Sequence, residues 1–342
     1  MLESDYRKEM LNHWAKHCLR DRGIPISDNL KLEIVSDDAS FRRYFRIGSI
    51  PSYIFVDAPP GKEDCKKFVE LAKLIAGSGL NAPRIFASDF KQGFLMISDF
   101  GNTLYLDRIN KGSKEEIRKL YGESLTALLS LQQINCNLPF FSQDLLLEEM
   151  NLFPTWFLQR ELKISNYEES GFKEVSELML VNAEEQPQVF VHRDYHCRNL
   201  MVTRENNPGI IDFQDAVIGP VTYDLVSLLK DCYHRFSFEQ ISIWVEMYRE
   251  RLISTGFLDR TMSKEKFLRW FELMGFQRHL KCAGIFSRLH LRDSKERYLR
   301  DIPLVISYML EVQERYHELQ KFCGWIEEEV MPKLKARRFK RS

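Results

Sequence analysis

The chain has 342 residues, 44% of them hydrophobic and 29% charged, enough for one large domain or two lobes with substantial cores. Forty-nine basic residues balance forty-nine acidic ones, which argues against bulk electrostatic binding to nucleic acid or a membrane surface. No run approaches the ~20 apolar residues that span a bilayer, MLESDYRKEMLNHW does not read as a signal peptide, and the scattered cysteines without CxxC spacing favour reduced thiols in a cytoplasm.

Helical periodicity opens the chain over 3–20, with Tyr6, Met10 and Trp14 on one side and Gly23 just past the end. Three strand candidates follow: LEIV (32–35), SFRRYFRI (40–47) beyond the turn SDDAS, and SYIFVDA (52–58). In the second, Phe41, Arg43, Phe45 and Ile47 alternate with Arg42, Tyr44 and Arg46. A helix is predicted over 62–79, stopped by Gly77 and Gly79, then strands at 84–90 and 93–100. From about residue 113 helical periods dominate, at 115–133, 144–163 and 172–185. One strand-and-loop region at 189–219 interrupts them before helices resume to the end. The pattern predicts an α+β chain, with a small sheet-and-helix N-terminal lobe over 1–100 and a larger, mainly helical lobe over 101–342.

The chemistry concentrates in the interrupting region. VFVHRDYHCRNLMV places Asp194 five residues before Asn199, and GIIDFQDA puts Asp212 thirteen residues later at the end of another apolar strand. A carboxylate, a carboxamide and a second carboxylate on neighbouring strand ends suit phosphoryl transfer. Asp194 can orient an attacking hydroxyl and accept its proton, while Asn199 and Asp212 hold magnesium against nucleotide phosphates.

HRDYHCRN and IIDFQDA resemble the catalytic and metal loops of the aminoglycoside phosphotransferase and choline kinase superfamily. More narrowly, DDASFRRYFR, FVDAPP, DFQDAVIGPVTYDL and MGFQRHLKCAGIFSRLHLRD resemble the bacterial anomeric amino-sugar kinases. The resemblance implies a bilobal, protein-kinase-like fold, ATP and magnesium. It also implies a small-molecule sugar substrate (N-acetylmuramate or N-acetylglucosamine) phosphorylated at the anomeric hydroxyl during cell-wall recycling. Carried over onto this sequence, Asp194 becomes the catalytic base and Asn199 and Asp212 the metal ligands. His192 braces the catalytic loop, and Asp224 buttresses it. Neither nucleic acid nor membrane is expected as a partner, and the protein is expected to be a monomer.

The same frame places a second motif. Asp-Phe-Gly, the magnesium triplet of protein kinases, occurs at 99–101, ahead of His192-Arg193-Asp194 instead of after it. It ends the fifth strand, where a kinase-like chain crosses between lobes and its backbone meets the adenine. Asp99 and Phe100 therefore read as hinge residues at the nucleotide.

Two departures stand out. Protein kinases carry a lysine on the third strand to grip the phosphates, but the only charged side chain of SYIFVDA is Asp57. Either Arg42 or Arg43 supplies that charge, with the backbone near Ser40 covering the phosphates, or the chain is a nucleotide-binding scaffold without turnover. In the other lobe, Arg278, Lys281, Arg288 and Arg292 fall on one helical stripe. Arg278 and Arg288 are candidates to clamp an anionic substrate group, with a solvated basic face as the other reading. Asp215 either assists the metal site, lines the sugar pocket or caps a helix. The closest alternative is the same chemistry on another hydroxyl, such as that of an aminoglycoside or an amino alcohol, although the basic stripe leans against a cationic substrate.

Overall fold

A computed structural model describes residues 3–26, 31–36, 41–48 and 51–337. Ser40 and the last residues of the basic tail, 338–342, lie outside them. The chain divides into two compact units, one of 1–105 with 199–214, the other of 106–198 with 215–342.

The first unit is built on a five-stranded antiparallel sheet. Its strands are β1 (Glu33–Ser36), β2 (Arg43–Ile47), β3 (Tyr53–Asp57), β4 (Ile85–Asp89) and β5 (Phe94–Ser98), in the order β1-β2-β3-β5-β4. Period-two alternation sends Phe45, Ile47, Tyr53, Phe55, Phe94 and Met96 to one face. There they pack against Leu11, Ala15 and Leu19 of the first helix, α1 (Glu3–Asp21). The second helix, α2 (Cys65–Gly77), starts where Asp64 accepts hydrogen bonds from the Lys66 and Lys67 amides. The hairpin between β4 and β5 needs Gly93, at φ +75°, because a Cβ there would stand 2.0 Å from the Ala58 carbonyl oxygen. A short ladder of Leu200–Met201 with Gly209–Ile210 completes this unit.

The second unit is helical around Lys264–Asp293, a 30-residue helix. Its residues Leu273, Phe276, Leu280, Ala283 and Phe286 join one apolar core with Phe153, Phe157, Val305, Met309 and Phe322. The helix predicted over 144–163 is α-helical only from Gln143 to Leu152 and then π-helical from Phe153 to Glu161. Pro154 has no amide to donate, so the regular ladder cannot continue, and the Leu162 amide reaches back five residues to the Phe157 carbonyl. Gly284 lets the long helix approach this break, since a Cβ would lie 2.3 Å from the Leu152 carbonyl carbon. Two strands, Gln188–Val191 and Val217–Pro220, pair antiparallel at the loop that carries Asp194. Among the described residues no helix is long and apolar enough to cross a membrane.

Candidate active site

In the first unit, Asn199 and Asp212 come together. The Ile211 amide donates to the Asn199 carbonyl, and the Asn199 amide group meets Asp212 Oδ2 at 3.3 Å. Turned over, that carboxamide presents its oxygen beside the carboxylate, and two hard oxygen ligands suit magnesium. Asp212 sits at φ +66°, a left-handed conformation uncommon outside glycine. Gln214, in the place of the usual glycine of this triplet, donates to Asp212 Oδ1 at 2.9 Å and helps fix that pose. Phe213 stacks on Phe68 of α2, with ring centroids 5.0 Å apart.

The arginines of β2 and the one just before it divide by face. Arg43 bonds Asp57 through Nε at 3.0 Å, opposite it in register, and Arg7 of α1 takes the other carboxylate oxygen at 2.9 Å. Arg42, just before the strand, pairs with Glu63 at 2.6 Å. Arg46 makes two bonds to Asp99, at 2.6 and 2.7 Å, and Asp99 also accepts from Ser52 and from the Gly101 amide. Burial would raise the Asp99 pKa, but the bonds from Arg46 and Ser52 win and lower it. The Asp99 carboxylate is thus occupied in shaping the 99–101 turn. Phe100 lies against Gly209, where a Cβ would come within 2.8 Å of its ring.

In the second unit, Asp224 accepts from the amides of His192 at 2.6 Å and Arg193 at 3.0 Å, and Arg193 is held at φ +76°. Burial pushes the Asp224 carboxyl up to about 6 against the pull of His192 and those two amides. His192 is fully buried, and its Nδ1 accepts from the Asp194 amide at 3.3 Å. Asp231 takes the Cys197 and Tyr233 amides, so both ends of the loop are pinned by buried carboxylates. Burial alone would raise the pKa of Asp194, yet Lys281 and the other cationic groups around it hold it well below the usual carboxylate range. Because burial pushes His196 down to about 4, that ring is neutral at pH 7, and Lys281 and Arg278 are the standing charges.

The sequence that carries these residues matches a known family. The sequence profile of the Phosphotransferase enzyme family (APH) covers residues 31–261. The chain belongs to the phosphotransferase enzyme family. Its relatives include the N-acetylmuramate/N-acetylglucosamine kinase of Pseudomonas aeruginosa, 41% identical over 93% of this chain and 95% of that one. The kinase of the same name from Neisseria meningitidis is 37% identical, over 92% and 93%. Solved structures confirm the protein-kinase-like fold. An ADP-bound aminoglycoside phosphotransferase matches at TM-score 0.57 and 16% identity, over 86% of this chain and 96% of that one. Plasmodium vivax ethanolamine kinase matches at TM-score 0.59 and 14% identity, over 90% and 96%. This phosphotransferase is therefore a small-molecule kinase.

The basic stripe of the phosphotransferase splits into distinct environments. Lys281 is buried, 2.9 Å from Glu149, and donates to the Tyr223 hydroxyl at 2.8 Å. Glu149 also takes Arg193, and its carboxyl is held low, because burial is outweighed by Lys281 and Arg193. Arg278 is only 3% exposed, and its Nη1 lies 3.6 and 3.5 Å from the sulfurs of Cys232 and Cys282. It has no carboxylate ion pair among the described residues. Arg288 is half-buried, whereas Arg292 is exposed and paired with Asp293. Asp215 is exposed.

Glu149 was not singled out from the sequence, because 44 residues separate it from Arg193 and it lies on a helix with an ordinary amphipathic pattern. Its removal has a clear expected result. Glu149→Leu leaves Arg193 and Lys281 buried without their shared counter-charge and should cost about 3–5 kcal/mol, read as a fall in the denaturant midpoint.

Proposed function

We propose that the protein transfers the terminal phosphoryl group of ATP to the anomeric hydroxyl of N-acetylmuramate and N-acetylglucosamine, forming sugar 1-phosphates in cell-wall recycling. The likeness to kinases of that name over nearly the whole chain carries the reading. Asp194 orients the hydroxyl and accepts its proton as the oxygen attacks, a role suited to a carboxylate kept ionised by neighbouring cations. Asn199 and Asp212 would hold magnesium, which offsets the phosphate charge when bound. An arginine from 42–43 compensates for the missing lysine, and the backbone of Asp99 and Phe100 receives the adenine.

Arg278 suits an anionic substrate group. N-acetylmuramate carries a lactyl carboxylate that N-acetylglucosamine lacks, and a buried guanidinium without a carboxylate partner can clamp it. Arg278→Met should therefore raise KM for N-acetylmuramate about 10-fold or more while leaving that for N-acetylglucosamine nearly unchanged. Equal changes for both sugars would remove Arg278 from this role. Arg288→Ala serves as the second test, with the same split expected if Arg288 shares the clamp. A cationic aminoglycoside or amino alcohol would call for acidic walls, whereas the charges that lower the Asp194 pKa are cationic, Lys281 first among them.

The reading is tested by ADP release from purified protein offered a panel of sugars, aminoglycosides and amino alcohols. Sugar-dependent release supports it. Turnover of an aminoglycoside without any sugar activity contradicts the substrate, and nucleotide binding without turnover contradicts the reaction.

A further inference from the structure

The two candidate arginines at the start of β2, Arg42 just before it and Arg43 as its first residue, point to different tasks. Asp57 pairs with Arg43 in register, and β2 alternates, so Arg43 shares the α1-facing side with Phe45 and Ile47. There the fully buried Asp57 carboxylate ties β2, β3 and α1 together through Arg43 and Arg7. The charged residue of β3 thus points away from the side on which Tyr44 and Val56 stand opposite each other. This triad is architectural.

Arg42 lies on the other side. It is 4% exposed, shares a hydrogen bond with Tyr44, and sits with its guanidinium 5.3 Å from the Phe68 ring centroid. Phe68 is the ring on which Phe213 stacks, and Asp212 contributes to the electrostatic environment of Arg42. Its ion-pair partner, Glu63, directly precedes the cap of α2, the helix that follows β3. In protein kinases the phosphate-gripping lysine of the third strand is positioned by a glutamate of the helix after that strand. Here the acid comes from the residue just before the cap of that helix, and the cation from the residue just before the neighbouring strand.

We infer that Arg42 is the side chain that grips the nucleotide phosphates, with Glu63 as its positioning residue, while Arg43 takes no part in nucleotide contact. The inference rests on the kinase reading above and narrows it to one side chain. A guanidinium already desolvated by Phe68 and aimed by Glu63 loses little freedom on meeting phosphate oxygens. Tyr44 beside it has its hydroxyl pushed up to about 12, chiefly by burial, so it remains a neutral hydrogen-bonding partner throughout the working range.

The experiment measures ATP and adenosine affinities by calorimetry, and kcat/KM for ATP, in Arg42→Ala, Arg42→Lys, Glu63→Gln and Arg43→Gln. Arg42→Ala should lower kcat/KM for ATP about 10²–10³-fold and remove most of the preference for ATP over adenosine, with adenosine affinity retained. Arg42→Lys should recover a substantial part, because a cation remains. Glu63→Gln should weaken ATP but not adenosine, and to a lesser degree than Arg42→Ala. Arg43→Gln should lower the melting temperature and leave the ATP-to-adenosine ratio unchanged. Loss of the ratio in Arg43→Gln with its retention in Arg42→Ala would overturn the assignment. Equal loss of adenosine and ATP in both Arg42 variants would overturn it too, showing a purely structural role. Wild-type protein that binds no ATP at all would instead sink the kinase reading itself.

Discussion

Asp194→Asn is expected to lower kcat about 10²–10⁴-fold and to lower the melting temperature only modestly, since it removes the charge that Lys281 and its neighbours favour but not the loop's bracing. The amide fills the same volume, and the loop is held by other groups: Asp224 under the His192 and Arg193 amides, and Asp231 under those of Cys197 and Tyr233. What the substitution removes is the ability to accept a proton. The same residue sets a pH expectation. Burial raises the Asp194 pKa, but Lys281 leads the charges that bring it below the usual range, so the carboxylate proposed as base stays ionised as pH falls toward 5. Removing that cation in Lys281→Gln lets the pKa rise. The acid limb of kcat should then move to higher pH, because the base protonates sooner. A pH–rate profile that does not move would show that Lys281 has no such influence.

Asp212→Ala should cost about 10²–10³-fold or more in kcat, whereas Asp99→Ala should leave kcat within about tenfold of wild type. Both aspartates begin an Asp-Phe sequence, but their surroundings differ. Asp212 sits in a left-handed backbone beside the Asn199 carboxamide, a pose that Gln214 supports. Asp99 spends its oxygens on Arg46, Ser52 and the Gly101 amide, so its loss removes charge-assisted bonds worth about 1.5–3 kcal/mol each. Asp99→Ala is therefore chiefly a stability defect. Steady-state kinetics and thermal melting on both variants separate the two roles, and equal losses of kcat would contradict this division.

Much of this was legible in the chain because it depends on local pattern. Alternation over Phe41–Ile47 placed the arginines on opposite faces, and the helix after β3 was marked by its apolar period. The spacing from Asp194 to Asn199 to Asp212 pointed to the chemistry without any structure. What remained hidden involves partners brought together by topology. Nothing near Asp57 in sequence announces that Arg7, 50 residues away, will hold it. Nor does the stripe on the long helix reveal that Lys281 meets Glu149 while Arg278 meets two cysteine sulfurs. The break at Pro154 was missed because apolar spacing continues through it; only the lost amide makes the turn widen.

The most direct test of the account is the position of the transferred phosphate. Protein, ATP, magnesium and N-acetylmuramate are incubated, and the product is read by phosphorus–proton correlation NMR. A phosphorus signal coupled to the anomeric proton is expected, absent when Asp194→Asn replaces the wild type. A phosphate on any other carbon, or inorganic phosphate as the sole product, would contradict it.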